Sequence, residues 1–110
     1  MEILIDDNYC IITPFSPKLL REDVERLKYE INNNTNKKIG IDLSYVNESV
    51  IDFFELLKQM TNICLFNVQS DIFVLLTAMN YDKLTKIYIS ENDFKSSTRQ
   101  LIKRNFQLVQ

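Results

Sequence analysis

Two short polar stretches hold the residues best suited to recognition chemistry: Asn47, Glu48 and Ser49, then Gln69, Ser70 and Asp71. Each follows an apolar run and precedes a helix-like pattern, so each is a strand-to-helix step. Hydroxyls, amides and carboxylates at such steps lie beside backbone N–H groups that a helix leaves unpaired at its start. That combination suits hydrogen bonding to another molecule.

Turnover chemistry has little to work with. The 110 residues contain no histidine, which removes the commonest general base and metal ligand. One glycine, Gly40, is too few for a phosphate-cradling loop. Cys10 and Cys64 sit in apolar strand-like runs, YCIIT and ICLFNV, and read as reduced core thiols. Asp6-Asp7 falls in a turn, Asp23 and Glu25 fall on a wet helix face, and Glu91 with Asp93 resembles a helix start. No calcium-loop spacing accompanies them. The expectation is a non-enzyme with no cofactor and no metal.

Composition narrows the partners. Net charge is −2 and no basic block occurs, so neither nucleic acid nor a polybasic membrane contact is expected. No apolar run is long enough to insert into a membrane, and no signal peptide is evident, which points to the cytoplasm. The length suits one domain spanning 1–110.

Several elements must position the two loops. Residues 2–5 and 9–13 read as a hairpin around Asp6-Asp7-Asn8. Ser16-Pro17 reads as a helix start, with Leu20, Val24, Leu27 and Ile31 on one stripe and Asn32-Asn33-Asn34 as the stop. Strands follow at 39–43 and 63–68. Ser49 is read as the cap of one helix, with Asp52 completing a capping box, and Ser70 as the cap of a helix over 71–79. A short strand at 87–89 and a helix over 92–104 close the chain. The order is β-β-α-β-α-β-α-β-α, a mixed, mostly parallel sheet with about four helices packed mainly on one face. A right-handed crossover between the strands at 39–43 and 63–68 brings both loops to the carboxyl edge of the sheet.

A helical wheel at about 100° per residue places Val50, Phe53, Leu57 and Met60 inward, and leaves Ile51 among polar residues. In the next helix Ile72, Leu75, Leu76 and Met79 form the core stripe, with Phe73 and Val74 off it. Ile51 and Phe73 are therefore expected on the surface beside the polar loops, together with Tyr45. Grouped apolar side chains of this kind suggest a protein-binding patch.

IDLSYV (Ile41 to Val46) and ICLFNVQSDIFVLLTAMNYDKLTKIYIS (Ile63 to Ser90) resemble the STAS family, the domain of bacterial anti-sigma-factor antagonists and sulfate-transporter tails. Asn80 stands where a glycine is common in that family. Antagonists of the family carry D-S-S-G after the DLS strand, with the second serine phosphorylated by an anti-sigma kinase. Here the chain reads NESVIDFFELL from Asn47, one residue shorter, with neither the serine pair nor the glycine. The resemblance brings Ile51 or Asp52 to the phosphoserine position. It leaves Ser49 as the candidate phosphorylation site and Asp52 as a candidate permanent charge.

The reading is a non-catalytic, STAS-like α/β interaction domain. It would bind a cytoplasmic regulatory protein such as an anti-sigma factor or serine-kinase-like regulator. The contact residues would be Tyr45, Asn47, Glu48, Ser49, Ile51, Asp52, Asp71 and Phe73. Two alternatives stay open: an accessory subunit of a lipid-transport or other ABC ATPase, and a nucleotide-binding protein. A homodimer is also open.

Overall fold

The computed structural model describes residues 1–49, 51–60 and 62–97, and the backbone strands at 100–101 and 108–109. β1 (Glu2–Ile5) and β2 (Tyr9–Thr13) form the expected antiparallel hairpin. Its turn is held by Asp6, whose Oδ1 accepts the N–H groups of Asn8 and Tyr9 at 2.9 and 2.7 Å. β2 pairs in parallel with β4 (Lys38–Asp42), β4 with β6 (Ile63–Phe66), and β6 with β7 (Lys86–Ile87). The sheet order is β1-β2-β4-β6-β7, so only β1 runs against the rest.

Alternation along these strands builds two cores. Cys10, Ile12, Ile39, Ile41, Ile63, Leu65 and Ile87 face one side, where α1 (Arg21–Asn32), α2 (Ile51–Gln59) and α3 (Ser70–Ala78) cover them. Ile11, Cys64, Phe66 and Tyr88 face the other, where Phe94 of α4 (Glu91–Ser96) packs. Three helices on one face and one on the other is the α/β arrangement expected from the element order. Gly40 lies on the α4 side, and its missing side chain makes room for the Phe94 ring.

Lys38 fastens α4 from below. Its ammonium donates to Phe94 O, and to Ser97 Oγ at 2.6 Å, while lying 4.7 Å from the Phe94 ring centroid. A cation under the last carbonyls complements the helix dipole. At the other end Ser90 Oγ accepts the Asp93 N–H and donates to the Asp93 carboxylate, closing a cap.

Several boundaries differ from the sequence expectation. α1 starts at Arg21, not near Ser16-Pro17. Residues Lys18–Leu19 are instead a strand, β3, paired in parallel with β5 (Glu48–Ser49). Pro17 O accepts the N–H groups of Asn47 and Glu48 at 2.9 and 3.0 Å, and Leu19 is fully buried. Pairing and burial thus outweigh the local Ser-Pro signal. The cap comes from Asp23, whose carboxylate accepts the Leu20 N–H at 2.9 Å.

Ser49 is correspondingly a strand residue and not a helix cap. Gln69, not Ser70, occupies the cap position of α3. α4 ends at Ser96, because Ser97 adopts a left-handed conformation (φ 58°), and Gln100–Leu101 form a strand, β8, paired with β9 (Leu108–Val109). The remainder of the expected 92–104 helix lies outside the described residues. Asn80, at the position where the resemblance points to glycine, is also left-handed (φ 63°), a conformation asparagine tolerates better than most residues.

Candidate functional site

Asp42 and Phe66 are register partners at the carboxyl ends of β4 and β6, so the two loops leave the sheet side by side. Hydrogen bonds tie them together. Asp42 Oδ1 accepts from Ser44 N at 3.0 Å and from Asn67 Nδ2 at 3.2 Å. Gln69 Nε2 donates to Ser44 O at 2.8 Å. Asn67 meets this geometry in a left-handed conformation (φ 54°). The polar residues near the loops therefore serve partly to join them, which sequence spacing alone does not indicate.

The β3–β5 ribbon adds a third segment to the same edge, because β2 is parallel to β4 and its exit opens beside theirs. At one end of the ribbon Phe15 and Tyr45 meet edge to face with ring centroids 5.1 Å apart. Both rings are about half exposed, at 51% and 53%. Just beyond the other end Leu20 and Ile51 are exposed at 47% and 67%, and they line one shallow recess with Arg21 and Asp52. Asn47 and Glu48 are exposed between these two apolar pairs. Sequence reasoning misses Phe15 and Leu20 because the region reads as the start of a helix. A Phe between two prolines, just after a parallel strand, is the available signal.

Ile51 is thus on the surface, as expected, and Phe73 is not. Phe73 is 4% exposed and belongs to the main core. α3 is rotated from the expected wheel: Ile72, Phe73, Leu76 and Thr77 point inward, while Val74, Leu75 and Met79 are exposed. A helix apolar on all sides carries no periodic contrast, so its wheel does not select a face.

The charged candidates also look different in three dimensions. Asp52 Oδ2 accepts from Arg21 Nε at 2.9 Å, so its charge is paired across α1 and α2. Asp71 is exposed in the first turn of α3. Ser49 Oγ is buried and has no hydrogen-bond partner among the described residues. A kinase would reach that hydroxyl only if the ribbon opened.

Burial pushes the thiols of Cys10 and Cys64 up from their ordinary pKa, with the charges of Lys38 and Lys86 opposing the rise at Cys64. Among the described residues no cluster of three or more His, Cys, Asp or Glu side chains could hold a metal. No helix among them is long and apolar enough to cross a membrane.

Two solved structures of the protein TM1081 share this fold. The chain superimposes on the solution NMR structure with a TM-score of 0.71 at 20% identity, covering 86% of this chain and 84% of that one. It superimposes on the crystal structure, described as a candidate anti-sigma factor antagonist from Thermotoga maritima, with a TM-score of 0.70 at 22% identity, covering 87% and 92%. The STAS-like fold implied by the sequence resemblance is the fold observed. No protein-family model matches the chain, and no curated protein matches it in sequence.

Proposed function

We propose that the chain is a non-catalytic interaction module that binds a cytoplasmic regulatory protein through the carboxyl edge of its sheet, as an anti-sigma-factor antagonist would. One observation carries this reading. Four exposed apolar side chains, Phe15, Tyr45, Leu20 and Ile51, flank a ribbon whose outer residues Asn47 and Glu48 are polar. Large side chains half out of water at one edge recover about 0.7–1.5 kcal/mol each when a partner buries them fully, half the value for a wholly exposed side chain. A few such anchors dominate a typical interface. Asn47, Glu48, Asp52 and Asp71 would supply its polar rim.

Permanent negative charge at Asp52 is not an isolated signal in this reading, since Arg21 shares it. Partner binding would compete for, or incorporate, that ion pair. Modification of Ser49 would act by breaking the β3–β5 ribbon, because its hydroxyl faces inward.

Affinity capture from the native cell tests the proposal, with Ile51→Asp and Tyr45→Asp as controls. A regulator of the anti-sigma or serine-kinase class captured by the wild type and lost with both variants supports it. A transporter ATPase lost in the same way keeps the surface and replaces the partner. If both variants fold and retain every partner, the surface is wrong.

A further inference from the structure

β1 ends the sheet with an unguarded edge. β2 is its one strand partner among the described residues, and β8 lies beside β7 at the other end of the sheet. Helix cover fades at this strand. Ile11 and Cys10 of β2 are buried, while their register partners Leu4 and Ile5 are 52% and 55% exposed. Successive strand residues point to opposite faces, so apolar surface is open on both sides of the sheet here. Native edges are ordinarily blunted by lysine, proline, a bulge or a covering segment. The EILI run has no lysine or proline, and its register with β2 is continuous, without a bulge.

The backbone describes what fits this edge. Asp6 N donates to Tyr9 O at 3.0 Å, so Asp6 and Tyr9 form a hydrogen-bonded pair of the hairpin. Hydrogen-bonded and non-hydrogen-bonded pairs alternate along antiparallel strands. Leu4 therefore bonds to Ile11, and the N–H and C=O groups of Ile3 and Ile5 point away from β2. An extended strand matches such a row of donors and acceptors.

A second copy of β1 has the matching pattern. A two-fold axis through Leu4 sets Ile3 against Ile5 of the second copy, and Ile5 against its Ile3. Both become hydrogen-bonded pairs, and the two Leu4 residues meet across the axis at the closer, non-hydrogen-bonded spacing. Apolar then faces apolar at all three positions, on both sides of the sheet. An axis through Ile3 would instead set Leu4 against Glu2. We propose that two copies of the chain join β1 to β1 antiparallel, with Leu4 on the axis, to form one continuous sheet. The pairing uses none of the side chains assigned to regulator binding. One unfavourable contact marks the register: Glu2 faces Asp6 of the second copy at each end, and both are exposed. A contact this short falls below the roughly 1,000 Å² of a stable interface, so the dimer is weak, with a Kd on the order of 0.1 mM.

Sedimentation equilibrium of the full chain from about 0.02 to about 1 mM tests the dimer, since that range brackets the expected Kd. Leu4→Lys sets two ammonium groups face to face on the axis and should leave a monomer throughout. Ile5→Pro removes an outward N–H that the hairpin does not use and should weaken the dimer at least about tenfold. Glu2→Lys turns repulsion into attraction at both ends and should tighten it at least about threefold, an effect that shrinks as salt is raised. Leu4→Cys gives the sharpest reading. Its expected Cα spacing of about 4.5 Å across the axis lies within disulfide range, so mild oxidation should cross-link it as a dimer. Leu84→Cys, at a position also 52% exposed, should stay uncross-linked, and the native Cys10 and Cys64 are buried. A wild type that is monomeric at about 1 mM overturns the proposal. So does a dimer that survives Leu4→Lys and Ile5→Pro, one that Glu2→Lys fails to tighten, or equal cross-linking of the two cysteine variants. A monomeric chain whose β1 captures a foreign protein, lost with Leu4→Lys, replaces the second copy and overturns it as well.

Discussion

The ring of Phe94 rests on the bare backbone of Gly40. A Cβ at that position would lie 2.7 Å from Phe94 Cζ and 2.9 Å from Phe66 Cε1. Phe94 is fully buried and stacks on Phe66 with centroids 5.3 Å apart, so the ring has little room to retreat. Gly40→Ala is expected to destabilise the protein by about 1–3 kcal/mol through overpacking. Urea denaturation of Gly40→Ala, Phe94→Leu and the double variant checks the cause. The double variant should be less destabilised than the sum of the singles, because the smaller side chain replacing Phe94 would vacate the space that the methyl added at Gly40 needs.

Ile51 and Phe73 are expected to respond oppositely to substitution, although both look exposed on a helical wheel. Ile51→Asp should change stability by no more than about 0.5 kcal/mol, as an open surface site does. Phe73→Ala should cost about 3–5 kcal/mol, as the loss of a core aromatic does. Thermal or urea unfolding of the two variants side by side tests the rotation of α3 directly. Equal effects would contradict it.

The Arg21–Asp52 pair joins α1 to α2 but stands largely in water, with Arg21 79% exposed. Its coupling in a double-mutant cycle of Arg21→Ala and Asp52→Ala should be within about 1 kcal/mol and should shrink as salt is raised. A coupling that ignores salt would show the pair to be shielded from solvent in solution.

Asp6 provides the pH dependence. The N–H groups of Tyr9 and then Asn8 hold its carboxyl below the usual aspartate range. A depressed folded-state pKa means that the unfolded chain binds the proton first as pH falls. Asp6 therefore contributes stability above its unfolded pKa, near about 4, and loses that contribution as pH drops through the lower folded value. Asp6→Asn keeps a turn-forming acceptor without the charge. Urea midpoints of wild type and variant should converge as pH is lowered from about 5 to about 2, and a constant gap would refute the assignment.

Much of the architecture was legible from local signals. The hairpin turn at Asp6-Asp7-Asn8, the apolar strands around Ile41 and Leu65, and the crossover between them each follow from short-range patterns. Those patterns also led to the two loops emerging together, which the Asp42–Phe66 register shows. Boundaries failed where a distant partner competed with a local one. Ser16-Pro17 reads as a helix start until Pro17 O meets the Asn47 and Glu48 N–H groups. Ser49 reads as a cap until its strand pairs with Leu19.

The sequence by itself determined the succession of hairpin, parallel strands and intervening helices, without the β3, β5, β8 and β9 strands, and the scarcity of groups able to do chemistry, because periodicity and composition are local properties of the chain. Only the tertiary structure decided which side chains reach solvent. It buried Phe73, turned Val74 and Leu75 outward, set Phe15 against Tyr45 and paired Asp52 with Arg21. Exposure and pairing depend on contacts between residues far apart in the chain, and no window of neighbouring residues contains that information.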